Sequence, residues 1–216
     1  MLKIAFNQSY IYPLEENHRF PMIKYELIPE QLIRENTCVN DNFFNPGKID
    51  KKLVLLTHQE EYFDRFKSLK LSKKEIREIG LPLSKELVER EMEIAQGTVM
   101  GVNYSLKNGI SMNIAGGTHH AFFDRGEAFC MLNDQSIAAN YLLKEKLVKK
   151  IMIIDLDVHQ GNGTASIFKR NNNVFTLSFH GKKNYPFRKE ISDLDIEFED
   201  NTNDNEYLAV LKKTIP

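Results

Sequence analysis

The most constraining stretch of the chain is Ile151-Met-Ile-Ile-Asp155-Leu-Asp157-Val-His159-Gln-Gly161-Asn-Gly163. Four successive apolar residues read as a strand covered on both faces, as in a parallel sheet sandwiched between helices. The strand runs into alternating Asp155, Asp157 and His159. Extended backbone sends alternate side chains the same way, so these three share one side while Leu156 and Val158 share the other. A carboxylate and an imidazole two residues apart can reach one ion, and that donor pair suits zinc and similar divalent metals. Any one of the three could merely cap the next helix. All three together, followed by glycines that let the chain turn away, point to a site.

The rest of the chain alternates in kind. Leu2–Phe6, Leu53–Leu56, Ile110–Ala115 and Val174–Phe179 are further strand candidates. Helical spacing predicts helices over Pro21–Arg34, Glu60–Leu69, Ser84–Leu106 (Ser84 as cap, Gly109 as stop), from Asn133 or Asp134 to about Lys146, Gly163–Arg170 and Glu206–Lys213. Gly116–Cys130 reads as a long loop. Strands alternating with helices predict an α/β fold on a parallel sheet, with ligands bound beyond the carboxyl ends of the strands. A second motif, Gly116-Gly-Thr-His119-His120, follows the Ile110–Ala115 strand and would open on the same rim. Adjacent histidines are weak alone, but imidazole exchanges protons near neutral pH.

Composition narrows the class. The chain has 216 residues and a formal net charge of −1. That suits one domain and gives no basic excess for nucleic acid. Cys38 and Cys130 imply no disulfide framework, and a reducing compartment is the expectation. The N-terminus lacks the apolar length of a signal peptide, and no run nears the roughly 18 residues of a membrane span. A cytoplasmic protein with no membrane partner is expected. No phosphate-type glycine loop or Ser-His-Asp order competes for the chemistry.

Taken with His18-Arg-Phe-Pro-Met22, Arg125-Gly-Glu-Ala-Phe-Cys130 and His180-Gly-Lys-Lys-Asn-Tyr-Pro-Phe-Arg188, these motifs resemble the histone deacetylase family. Its bacterial members, acetoin-utilisation proteins and acetylpolyamine amidohydrolases are included, and Gln160 and Asn162 look closer to the class IV type and its bacterial relatives than to class I. The resemblance implies the arginase/deacetylase fold, a three-layer α/β/α sandwich around a mostly parallel sheet. It implies zinc (Fe2+ being an alternative in the cell) on Asp157 and His159, with His119 and His120 as the histidines that work on the attacking water. Asp155 would stand behind His119, and Asn162 behind His120 where class I members have Asp. Phe129 and Tyr185 would wall an acyl-lysine tunnel, with Arg19 near the inner end of its acetate channel. Asp155, Asp157, His159, Ser178 and Phe179 would form a K+ or Na+ site.

The implied activity is metal-assisted hydrolysis of an acetyl-lysine or acetylpolyamine amide. Family members continue past the point matching Pro216 with a third zinc ligand in an Asp-Pro-Leu-Gly type motif and an oxyanion-binding Tyr in a Gly-Gly-Tyr type motif. Neither motif occurs here. Residues 1–216 are therefore expected to be the N-terminal two-thirds of a single deacetylase domain with an incomplete sheet. An inactive remnant is the competing expectation, as is a half-subunit completed by another chain or an oligomer. An arginase-like two-metal hydrolase would need more clustered ligands than the sequence offers.

Overall fold

The computed structural model describes residues 1–215. Its strands form two three-stranded sheets, and every pairing is parallel. In the first, β1 (Lys3–Ala5) lies between β2 (Phe43–Phe44) and β3 (Ser111–Asn113), with Ile4 opposite Met112. In the second, β5 (Val174–Gly181) lies between β4 (Ile151–Asp155) and β6 (Leu194–Phe198), with Asp155 opposite Ser178. The helices are α1 (Lys24–Arg34), α2 (Lys51–Val54), α3 (Glu60–Lys67), α4 (Lys73–Ile79), α5 (Lys85–Asn108), α6 (Asp134–Lys144), α7 (Asn162–Phe168) and α8 (Asp204–Thr214). None is long and apolar enough to cross a membrane.

The long helix α5 organises the N-terminal half. Ser84 caps it by accepting from the Leu87 N–H at 3.1 Å, and Gly109 ends it at φ +86°. A left-handed residue at that point is what glycine supplies without strain. Its face bearing Leu87, Ile94, Ala95 and Val99 is buried with Tyr10, Tyr62, Phe63, Phe66, Met131, Leu132 and Ile137. β1, β3, α3 and α6 all pack on it. A smaller cluster of Ala139, Ile153, Phe168 and Val174 joins α6 and α7 to the second sheet.

Several elements differ from the sequence reading. Leu53–Leu56 is not a strand. Asp50 accepts from the Lys52 N–H at 2.8 Å and caps α2, so Val54 is buried by a helical turn. A four-residue apolar run has no periodicity to separate the two states. α1 begins at Lys24, leaving Pro21 outside its first turn. α4 was legible but unread: Ser72 and Glu75 form a capping box and Gly80 closes it at φ +78°. β2 and β6 also lay outside the reading, being short or half polar. β4 is covered on one face only. Ile153 is 8% exposed, whereas Met152 is 59% and Ile154 37% exposed. β3 and β4 each have one edge unpaired among the described residues.

His58 is buried beside the start of α6, where its Nε2 accepts the Asn133 N–H at 2.9 Å. Burial drives its pKa from 6.5 to about 4. The folded His58 therefore stays neutral while an unfolded chain protonates, so its stabilising share is complete above pH 6.5 and is lost as pH falls through 4. At about 1.4 kcal/mol per pKa unit the share is about 3 kcal/mol. Urea unfolding at pH 7 and pH 4.5 should show this loss, and His58→Gln should flatten the slope by roughly that amount.

Candidate active site and metal centre

The Gly116–His120 loop is pinned from below by one buried carboxylate. Asp134, 1% exposed, accepts from the Gly117 N–H, the Thr118 N–H (2.7 Å), the Thr118 hydroxyl (2.5 Å) and the Thr98 hydroxyl on α5 (2.5 Å). A Cβ at Gly116 would meet its Oδ2 at 2.8 Å, which explains glycine there. Asn133, not Asp134, is the N-cap of α6. Its Oδ1 accepts from the Ser136 N–H, while its Nδ2 donates to the Ala121 carbonyl and to Thr164 on α7. The loop after β3 and the helix after β4 are thereby locked together. The two motifs do share one rim.

At that rim the histidines have unlike partners. His119 Nδ1 is 2.5 Å from Asp155 Oδ2 at the end of β4. His120 Nδ1 is 2.7 Å from Asn162 Oδ1 at the start of α7, and the rings are 4.0 Å apart. The Gly163 N–H donates to the same Asn162 Oδ1 at 3.0 Å. A backbone N–H can only donate, so that atom is the amide oxygen and His120 Nδ1 must be the donor. The Nε2 lone pair of His120 is left free.

Burial alone would lower the His119 pKa, but the Asp155 carboxylate outweighs it and holds His119 above the ordinary imidazole value. Burial, together with the neighbouring His119, drives His120 down to about 4, since Asn162 offers no charge against it.

Asp157 Oδ1 and His159 Nδ1 lie 2.9 Å apart, on side chains about half exposed. The loop is tightened by the Asp157 N–H on Asp155 Oδ1 and the His159 N–H on Asp157 Oδ1. Burial works against ionisation of Asp157, but the His159 N–H and the nearby imidazoles keep its pKa below the usual carboxylate range. One oxygen and one imidazole nitrogen are donors that zinc accepts. Among the described residues no cluster of three metal-ligating side chains forms, so the fit extends to two ligands.

A cavity of about 380 Å³ adjoins these groups, lined by Arg19, Lys24, His119, His120, Phe129 and Asp157 among others. Phe129 reaches it from a tight turn. Glu127 and Cys130 exchange both backbone hydrogen bonds, and the two residues between them, Ala128 (φ +44°) and Phe129 (φ +67°), are left-handed. Turns of this kind normally use Asn or Gly, so both non-glycine residues hold a strained backbone. The Phe129 ring packs on Phe20 at 5.0 Å with Arg19 over its face. Tyr185 stands edge-on to His120 at 5.0 Å and to His159 at 6.1 Å. Ser178 and Phe179 continue β5 beside Asp155, and the Ser178 hydroxyl lies 3.0 Å from His180 Nδ1. Cys130 is buried and its thiol pKa raised, an inert core thiol. The sequence assigns no role to Glu127, and offers the Asp134 carboxylate only as an alternative helix cap. Their side-chain partners, Thr98 and Gly117 for Asp134 and Asn162 and Tyr185 for Glu127, come from elements distant in sequence.

Comparison with known proteins decides the family. Residues 14–216 match the histone deacetylase domain. The chain belongs to the histone deacetylase family. An uncharacterized protein of Picosynechococcus sp. is 38% identical over 208 residues, 96% of this chain and 69% of that protein. Histone deacetylase 2 of Arabidopsis thaliana is 26% identical, with 99% of this chain and 58% of that protein covered. Acetoin utilization protein AcuC of Staphylococcus aureus (strain MSSA476) is 29% identical over 81% of this chain and 48% of that protein. The crystal structure of an HDAC homologue from Aquifex aeolicus superposes with a TM-score of 0.83 at 24% identity, over 99% of this chain and 63% of that one. The fold is therefore the α/β arginase/deacetylase fold, and this histone deacetylase family chain spans about half to two-thirds of the length of the relatives it matches.

The two histidines give a direct test. Asp155→Asn removes the charge that opposes burial at His119. Its imidazole pKa, followed by NMR titration, should fall from above 6.5 to below it, while His120 stays low.

Proposed function

We propose that this chain carries the acid–base half of a zinc-dependent amidohydrolase that removes acyl groups from lysine side chains or polyamines. The observation that carries the proposal is the pair of unlike histidines, His119 on Asp155 and His120 on Asn162, opening on one cavity with Asp157 and His159. Asp157 and His159 would hold the zinc ion, which when bound supplies a Lewis acid for the amide carbonyl and lowers the pKa of water. Catalytic zinc sites take three protein ligands, so the reading requires a third donor from outside the described residues, in this polypeptide or a complementing one.

His120 is neutral, with its Nδ1–H committed to Asn162. Its Nε2 is free to take the proton of the attacking water and return it to the leaving amine. His119 keeps a proton and, backed by Asp155, steadies negative charge that develops beside it. Phe129 and Tyr185 are the walls for the extended acyl-amine chain, and Arg19 offers a cation to the carboxylate product. A monovalent cation among Asp155, Asp157, His159, Ser178 and Phe179 would brace the strand ends. Two free, buried cysteines agree with a reducing, cytoplasmic setting.

The test is deacetylation of an acetyl-lysine peptide by the 216-residue chain, with and without zinc, beside His120→Ala. Zinc-dependent turnover should fall about 10²- to 10⁴-fold in the variant, the usual worth of a general base. Turnover no higher than that of His120→Ala would sink the enzyme reading for this chain alone. That outcome would support a second reading, in which Asp157 and His159 are two donors of a site that another segment or chain completes.

A further inference from the structure

Asn162 is 3% exposed. Both acceptor positions of its Oδ1 are taken, by His120 Nδ1–H and the Gly163 N–H. Its buried NH2 therefore needs an acceptor inside the protein, because a donor taken out of water and left unpaired is destabilising. Glu127 Oε1 meets it at 3.2 Å. The same Oε1 accepts from the Tyr185 hydroxyl, whose ring packs edge-on against His120. Glu127 is itself fixed. Its backbone is bonded both ways to Cys130, and its other carboxylate oxygen lies 3.6 Å from Arg125 Nε.

We propose that Glu127 is a positioning residue for His120: one carboxylate oxygen orients the Asn162 amide that holds His120 Nδ1–H and also clamps Tyr185 against the His120 ring. The inference rests on reading His120 as the base. It accounts for a neutral Asn162 behind that histidine. The carboxylate is present, but one hydrogen bond further out, where it fixes direction without pressing charge directly on the imidazole. It also couples the wall to the chemistry, since a displacement of Tyr185 pulls on the acceptor that aligns Asn162.

The test reads the imidazole tautomer of His120 in the ¹⁵N-histidine-labelled 216-residue chain by long-range ¹H–¹⁵N NMR, with His120→Ala for assignment and buried His180 reporting the fold. In the wild type the Nδ1–H form should exceed the Nε2–H form by about tenfold, the worth of one good hydrogen bond. Glu127→Ala should bring the two forms near parity. Glu127→Gln keeps an acceptor oxygen, and Tyr185→Phe keeps the Asn162–Glu127 bond, so both should hold the wild-type tautomer.

An unchanged ratio in folded Glu127→Ala would overturn the proposal. So would a Glu127→Gln variant as disordered as Glu127→Ala, because charge rather than acceptor geometry would then be at work. Where the wild type turns over substrate, Glu127→Ala should lower kcat at least about tenfold and change KM less, the signature of a misaligned base. A wild type without turnover would defeat the hydrolysis reading for this chain, while the tautomer ratios would still decide the role of Glu127.

Discussion

The candidate site hangs on the carboxylate of Asp134. It gathers two backbone N–H groups of the Gly-Gly-Thr-His-His loop and hydroxyls from that loop and from α5 into a space closed to water. Charge-assisted hydrogen bonds of this kind are short and strong, and the Thr118 donors, left without this acceptor, would be buried unpaired. The loop consequently has one conformation. That conformation delivers His119 and His120 to the ends of β4 and α7, where Asp155 and Asn162 wait. Neighbouring Asn133 extends the same lock to α7 through Thr164.

Two adjacent, similarly buried histidines then acquire opposite character from their partners and from each other. Desolvation penalises both imidazolium ions. A carboxylate at 2.5 Å overcomes it for His119, and a neutral amide at 2.7 Å does not for His120. A pair whose environments push its pKa values apart is the arrangement in which one member holds a proton while the other accepts one. Glu127 adds charge at one remove through Asn162, where it shapes orientation more than proton affinity.

The second sheet is unusual in its surroundings. Parallel sheets of α/β proteins are normally covered on both faces, yet Met152, Ile154, Leu156 and Val158 are exposed along one side of β4 and the loop after it. Leu156 and Val158 lie just past the end of β4, in the bend that also carries Asp157 and His159. The relatives that match this chain reach well beyond it in length.

Much of the site was legible in the sequence because its logic is local. The strand Ile151–Asp155 was legible and carries Asp155 at its end, although the backbone bends after it, so Asp157 and His159 are placed by turns and not by strand alternation. The glycines marked where the backbone must turn, and Ser84 and Gly109 bounded α5. The Leu53–Leu56 segment was misread because four apolar residues fit a strand or a helical turn equally, and the Asp50 cap decided between them. What only the tertiary structure determined is non-local. Asp134 became the anchor of the loop, rather than a helix cap, because Thr98 and Gly117 come to it from elsewhere. Ala128 and Phe129 took left-handed backbone that no turn propensity signals. Glu127 and Tyr185, 58 residues apart, met on one oxygen behind His120. The sequence determines which side chains point together along one strand. The partners of a buried polar group depend on which distant segments the core brings within hydrogen-bond reach, and only the packed chain specifies that.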